Sequence, residues 1–172
     1  MNFNREFDQR QRGVSLIEAL VGTLILGVAV LGYAGLEVTG LKMTNEAFLR
    51  ERATSLAVDA KERMRMNRAE KDFYLDGTNW VTGAASCNGS GVACTASEVA
   101  VHDVSELITL AADYLPGGSV GVRSCGTANA AENCIIVSWA VTTTASCDPS
   151  TAYGHANFES QTNCVEVVVY DF

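Results

Sequence analysis

Eighteen consecutive residues, Ala19 to Leu36, carry no charged side chain, and a carboxylate, Glu18, stands immediately before them. A helix crosses the hydrocarbon core of a bilayer with about 20 apolar residues, so the run has spanning length. The thirteen residues ahead of Val14, MNFNREFDQRQRG, are polar and carry three Arg against one Glu and one Asp. A positive flank holds the amino-terminus of such a segment in the cytoplasm and sends the rest of the chain across. Three readings compete for the segment. A removable secretory signal has a shorter apolar core and a small-x-small cleavage site, for which Gly32-Tyr33-Ala34 is a poor match. A plain membrane anchor leaves Glu18 and Gly13 unexplained. A cut at Gly13–Val14, before the apolar run, would keep that run on the mature chain as a packing element.

The cysteines agree with export. All six, Cys87, Cys94, Cys125, Cys134, Cys147 and Cys164, lie in the second half, and no C-x-x-C occurs. Structural zinc sites pair their ligands closely, and His102 and His155 are isolated, so no metal or other cofactor is expected. Disulfides imply an oxidising compartment. Short separations favour neighbours, Cys87 with Cys94, Cys125 with Cys134 and Cys147 with Cys164, although spacing alone leaves other pairings open.

Helical pattern continues past the apolar run. Between Glu37 and Ala69 there is no proline and one glycine, Gly40. Leu49, Ala53, Leu56, Ala57, Ala60 and Met64 recur every three or four residues as a single apolar face. Glu51, Lys61, Glu62 and Arg65 fall opposite, and Asp59 and Arg63 form an i,i+4 pair in the favourable order. One helix of about fifty residues would rise roughly 75 Å, more than a membrane or a small domain requires. Leu41 and Phe48 fall off the stripe and are expected to face something outside the chain. Gly22, Gly27, Gly32 and Gly35 each cost a helix about 1 kcal/mol, a cost that close helix approach or local unwinding would explain; their spacing is not G-x-x-x-G.

Loop-rich sequence (GTNWVTGAAS, NGSGVAC) leads to a second helical pattern, Ser97 to Tyr114, with Val104, Leu107, Ile108 and Ala111 on one side. LPGG, Leu115 to Gly118, stops it. Strand patterns follow: Val120 and Val122; then Ile135, Val137, Trp139 and Val141 on one face; then Val165, Val167 and Val169 with Glu166 facing out. Ile136 and Val168, apolar at the alternate positions, lead to the expectation that both faces of the sheet are partly covered. Helix first and strands later predicts an α+β fold, a three- or four-stranded antiparallel sheet on the amphipathic half of the long helix.

Several function classes are excluded. A net charge of −8 over 172 residues argues against nucleic-acid binding; the one basic cluster, KERMRMNR, reads as a solvated helix face. Two scattered histidines make no catalytic triad. LPGGSVGV lacks the lysine and context of a phosphate loop. Asp103 and Glu106, at i,i+3, read as a solvated face rather than an acid/base pair. The chain reads as non-enzymatic.

GVSLIEALVGTLILGVAVLGYAGL resembles the class III signal of type IV prepilins: glycine, a hydrophobic residue, Ser or Thr, two aliphatics, then Glu. Val14 stands where the pattern usually has Phe. The resemblance implies that a prepilin peptidase cuts after Gly13 and methylates the new amino-terminus on Val14, and that Glu18 becomes the fifth residue of the mature chain. SLAVDAKERMRMNRAE, LPGG and a strand containing Trp139 look like the minor pilin PilV family, strongly over the long helix and loosely beyond it. Implied with it are a leader (1–13), a membrane and assembly half-helix (14–36), an amphipathic half (37–69) and a globular head (70–172). The resemblance also implies insertion in the bacterial inner membrane, head in the periplasm, and contact with lipid before assembly. Extraction by the inner-membrane assembly machinery into a pilus would follow, beside other major and minor pilins, with a part in priming assembly near the tip, and in the twitching motility and adhesion that pili serve. On that reading Leu41 and Phe48 face neighbouring subunits. A minor pseudopilin of type II secretion shares the signal, and a membrane-tethered, disulfide-stabilised adhesin is the rival from another class.

Overall fold

A computed structural model of the chain describes residues 15–83, 87, 93–125, 132–140, 142–145, 147 and 163–169. Its elements run α1 (Leu16–Met66), a 3₁₀ turn (Arg68–Glu70), α2 (Lys71–Leu75), a second 3₁₀ turn (Gly77–Asn79), α3 (Ala96–Tyr114), then β1 (Ser119–Ser124), β2 (Asn133–Ser138) and β3 (Cys164–Val169). The fold is α+β. It divides into two compact units, one ending at Thr44 and one starting at Asn45.

Within the first unit, α1 is helical from Leu16, and every described side chain is exposed. The helix is long and apolar enough to cross a membrane. Its threonines do not present unused hydroxyls: Thr23 donates to the Leu20 carbonyl, Thr39 to Gly35 and Thr44 to Gly40, at 2.9–3.0 Å. Such back-bonding satisfies the hydroxyl where no water is present. A Cβ added at Gly22, Gly27, Gly32, Gly35 or Gly40 would meet nothing within 4 Å, so packing within the chain does not require these glycines.

Within the second unit the apolar stripe turns inward. Ala53, Leu56, Ala57, Ala60 and Met64 are buried and share one core with Ala100, Val104, Leu107 and Ala111 of α3, and with the sheet. Three of the five α1 positions are alanine, with no exposed surface. Helix α3 starts with a capping box: the Glu98 N–H donates to Thr95 Oγ1 (3.3 Å), and the Thr95 N–H donates to Glu98 Oε2 (2.8 Å). These bonds satisfy two amides that a helix start otherwise leaves unpaired.

The sheet is antiparallel, in the order β1-β2-β3. Its register sets Val122, Ile135 and Val167 side by side, and Val120, Val137 and Val165, all facing the core. The opposite face carries Gly121, Ile136 and Glu166 in one row. Ile136, Cys147 and Cys164 form a second, smaller apolar cluster there. Arg123 reaches from this face to the Ala145 and Cys147 carbonyls, binding these two residues to the sheet.

Two sequence expectations are corrected here. Glu166 does not face out; it is buried, with 6% exposure, because the bonded sulfurs of Cys125 and Cys134 lie within 4.8 Å of its carboxylate on the face that alternation would leave wet. Strand β2 ends at Ser138, so Trp139 follows the strand instead of sitting in it. The chain turns at Ala140, whose φ is +60° and whose N–H donates to the Pro116 carbonyl at 2.7 Å. Val141 lies outside the described residues.

That turn packs on the helix stop. Gly117 adopts φ +65°, and a Cβ at Gly118 would lie 2.0 Å from the Ala111 carbonyl oxygen. Gly118→Ala is therefore expected to destabilise the head by about 1–3 kcal/mol, read as a lower denaturation midpoint of the full chain in detergent.

Candidate functional site: the exposed half of α1 and the head that carries it

Gly13 and Val14 lie outside the described residues. Glu18 stands in the first turn of α1, exposed, its N–H donating to the Ser15 carbonyl at 2.9 Å. The amino end of a helix carries partial positive charge, so an acid in the first turn is favoured. Past it, Leu16, Ile17, Leu20, Leu24, Leu31 and Leu36 are each more than half exposed, as are many of their neighbours. Soluble monomers do not leave a continuous apolar surface of this size uncovered. Lipid or other protein must cover it.

The head's polar chemistry gathers on Arg63, a residue whose reach the sequence did not reveal. Its Nε donates to Asp59 (3.1 Å), and Nη1 to both Asp103 (3.1 Å) and Glu106 (2.5 Å). Tyr74 Oη donates to the other Asp103 oxygen at 2.6 Å, and Asn67 Nδ2 donates to Tyr74 Oη and to the Ala96 carbonyl. These bonds tie α1 to α2 and α3. Asp103 and Glu106 are thus not a plain solvated face; Asp103 is nearly buried and doubly bound. Arg63 likewise leaves the solvated face read in KERMRMNR. Its i,i+4 pairing with Asp59 was legible, but the longer-range contacts were not.

The electrostatics follow from this geometry. Burial opposes the charge on Arg63, but hydrogen bonding to Glu106 and the fields of Asp59 and Glu106 outweigh it and hold the guanidinium above its ordinary range. Burial, then the hydrogen bond to Asp103, pushes the Tyr74 phenol up. The bond from Arg63 holds the Glu106 carboxyl below its ordinary value. In this cluster three carboxylates share one guanidinium, and the phenol is kept protonated.

In the described residues Cys87 is bonded to Cys94, Cys125 to Cys134, and Cys147 to Cys164. Cys125, Cys134 and Glu166 bring potential metal-binding atoms within 4.8 Å of one another. Two of those atoms are sulfurs bonded to each other, which supply no thiolate.

A second surface feature was half legible. Phe48, expected to face outward, is 46% exposed, with the Arg52 guanidinium 4.1 Å above its ring. The same guanidinium lies 5.6 Å from the Tyr114 ring centre and donates to the Tyr114 carbonyl at 3.4 Å. Phe48 and Arg52 are i,i+4 on α1, a spacing that could have been read; Tyr114, from α3, could not.

The profile of the Tt1218-like type IV pilin family matches residues 35–105, and that of the prokaryotic N-terminal methylation motif matches residues 8–34. No curated protein and no solved structure matches the chain.

The ion cluster sets a pH dependence. The folded chain holds the Glu106 proton less tightly than the unfolded chain. That contribution to stability is full above about pH 4.3 and is lost as pH falls through the depressed folded value. Tyr74 has the opposite sign: its contribution is full below about pH 10 and is lost as pH rises toward the raised folded value. Denaturant midpoints measured across pH should fall at both ends. Arg63→Met, which leaves Asp103 without its cation, should cost about 2–4 kcal/mol and flatten the acid limb.

Proposed function

We propose that this type IV pilin, which carries a class III prepilin amino-terminus, is a minor subunit of the PilV kind that takes part in priming the pilus and is incorporated in or near its tip. The observation that carries the reading is the exposed half of α1, apolar on every side, with one carboxylate in its first turn. In this reading prepilin peptidase removes residues 1–13 and methylates the amine of Val14. Before assembly, residues 14–36 rest in the inner membrane with the amino-terminus cytoplasmic and the head periplasmic. On extraction, the apolar half-helix exchanges lipid contact for contact with the helices of other pilins.

Glu18 is the element that such an exchange must provide for. An unpaired carboxylate within a bundle of apolar helices is costly. The amine created by cleavage before Val14, on another subunit, is the partner of matching charge. The pair fixes axial register, because in an apolar surface any other stagger leaves both charges unpaired. Catalysis has no part in this function: the chain's work is packing.

Mass spectrometry of the chain from cells with and without prepilin peptidase tests the first step. Loss of residues 1–13 only where the peptidase is present is expected; an intact chain in both would overturn the reading in favour of a tethered binding domain. Glu18→Ala should be cleaved normally yet recovered poorly in sheared pili, and recovery equal to wild type would remove the register role. Deleting the gene and scoring pili against protein secretion separates a pilus subunit from a secretion pseudopilin.

A further inference from the structure

The head carries a groove of about 460 Å³ lined by Arg52, Ser55, Leu56 and Asp59 of α1 and by Leu110 and Tyr114 of α3. Its floor is apolar. Asp59 is engaged by Arg63, so Arg52 sets the charge of the groove. The Arg52 guanidinium is held over the rings of Phe48 and Tyr114, both about half exposed. A guanidinium held this way is pre-organised for a carboxylate, and exposed Arg, Tyr and Phe around a small apolar pocket have the composition of an interface centre.

The chain itself has a segment of the complementary chemistry. Glu37 is the single acid between Glu18 and Glu46 in the sequence, and it is exposed on α1. Leu41, one turn on, is 65% exposed. Gly40 beside it has open space around it, so a second helix can come close. Glu37 and Leu41 are spaced i,i+4, as are Arg52 and Leu56. Two parallel helices staggered by about four turns therefore bring Glu37 to Arg52 and Leu41 to Leu56 at the same time.

We propose that the groove seats the α1 helix of a second copy of this chain, with Glu37 of that copy on Arg52 and its Leu41 on the floor formed by Leu56 and Leu110. The inference rests on the subunit reading above and deepens it: at least two copies stand side by side in the assembly. Each copy carries both halves of the contact on different surfaces, so the contact is heterologous and can repeat along a filament.

Two distinguishable full-length chains, one with E37C and one with R52C, are produced together in cells that make pili, and sheared pili are oxidised. A disulfide between the two chains is expected. R52E and E37R, each alone, should lower incorporation about tenfold through like-charge contact, and the double reversal E37R/R52E should restore it. Because E37R alters an exposed site away from the groove, its loss of incorporation does not depend on R52E folding. Cleaved chain present in pili without the 37–52 cross-link, or cross-linked from R52C only to a different pilin, would overturn the groove while leaving the subunit reading intact. A chain never cleaved and absent from pili would overturn both.

Discussion

Burial of the apolar stripe of α1 is the constraint on which the head depends. Ala53, Ala57 and Ala60 have no exposed surface, and a larger side chain at any of them would hold off the elements packed there. With that stripe buried, Arg63 reaches two acids on α3, and Asp103 in turn accepts from Tyr74. A polar network of this kind stabilises only when every member is paired. The apolar burial and the ion cluster therefore act together: the stripe holds α1 on the core, and the charges select the side chains it faces.

The same helix follows opposite rules on either side of Thr44. In the first unit its side chains are exposed, its threonines bond to their own turn, and its glycines have no neighbour to accommodate. In the second unit it has one buried face and one wet face. A chain under selection only for its own stability would not retain five glycines in the first stretch of a helix at about 1 kcal/mol each. The surroundings that make them useful belong to other molecules.

How much was legible in sequence follows from the range of the forces involved. The long helix, the second helix and the strand positions were readable because period and punctuation are local signals. The near-neighbour bridges were readable for the same reason. Glu166 was misread because alternation reports which way a side chain points and not whether something covers that face; the Cys125–Cys134 bridge, from another strand and the residue after β1, lies against it. The strand carrying Trp139 was read too long because Ala140, at positive φ, is not a residue that usually marks such a turn. Among the exposed charges, Glu18 was evident as the lone carboxylate before an uncharged run. Arg52 was not, because its significance depends on Tyr114, sixty-two residues away.

The bridges join cysteines separated by 7, 9 and 17 residues, and the three loops neither nest nor overlap. A head that enters an oxidising space from its amino-terminal side exposes each cysteine and then its partner before any cysteine of the next pair. Oxidation in order of arrival is thus also oxidation to the native connectivity. The head can complete its covalent structure by timing alone, without passing through the shuffled pairings that six cysteines would otherwise permit.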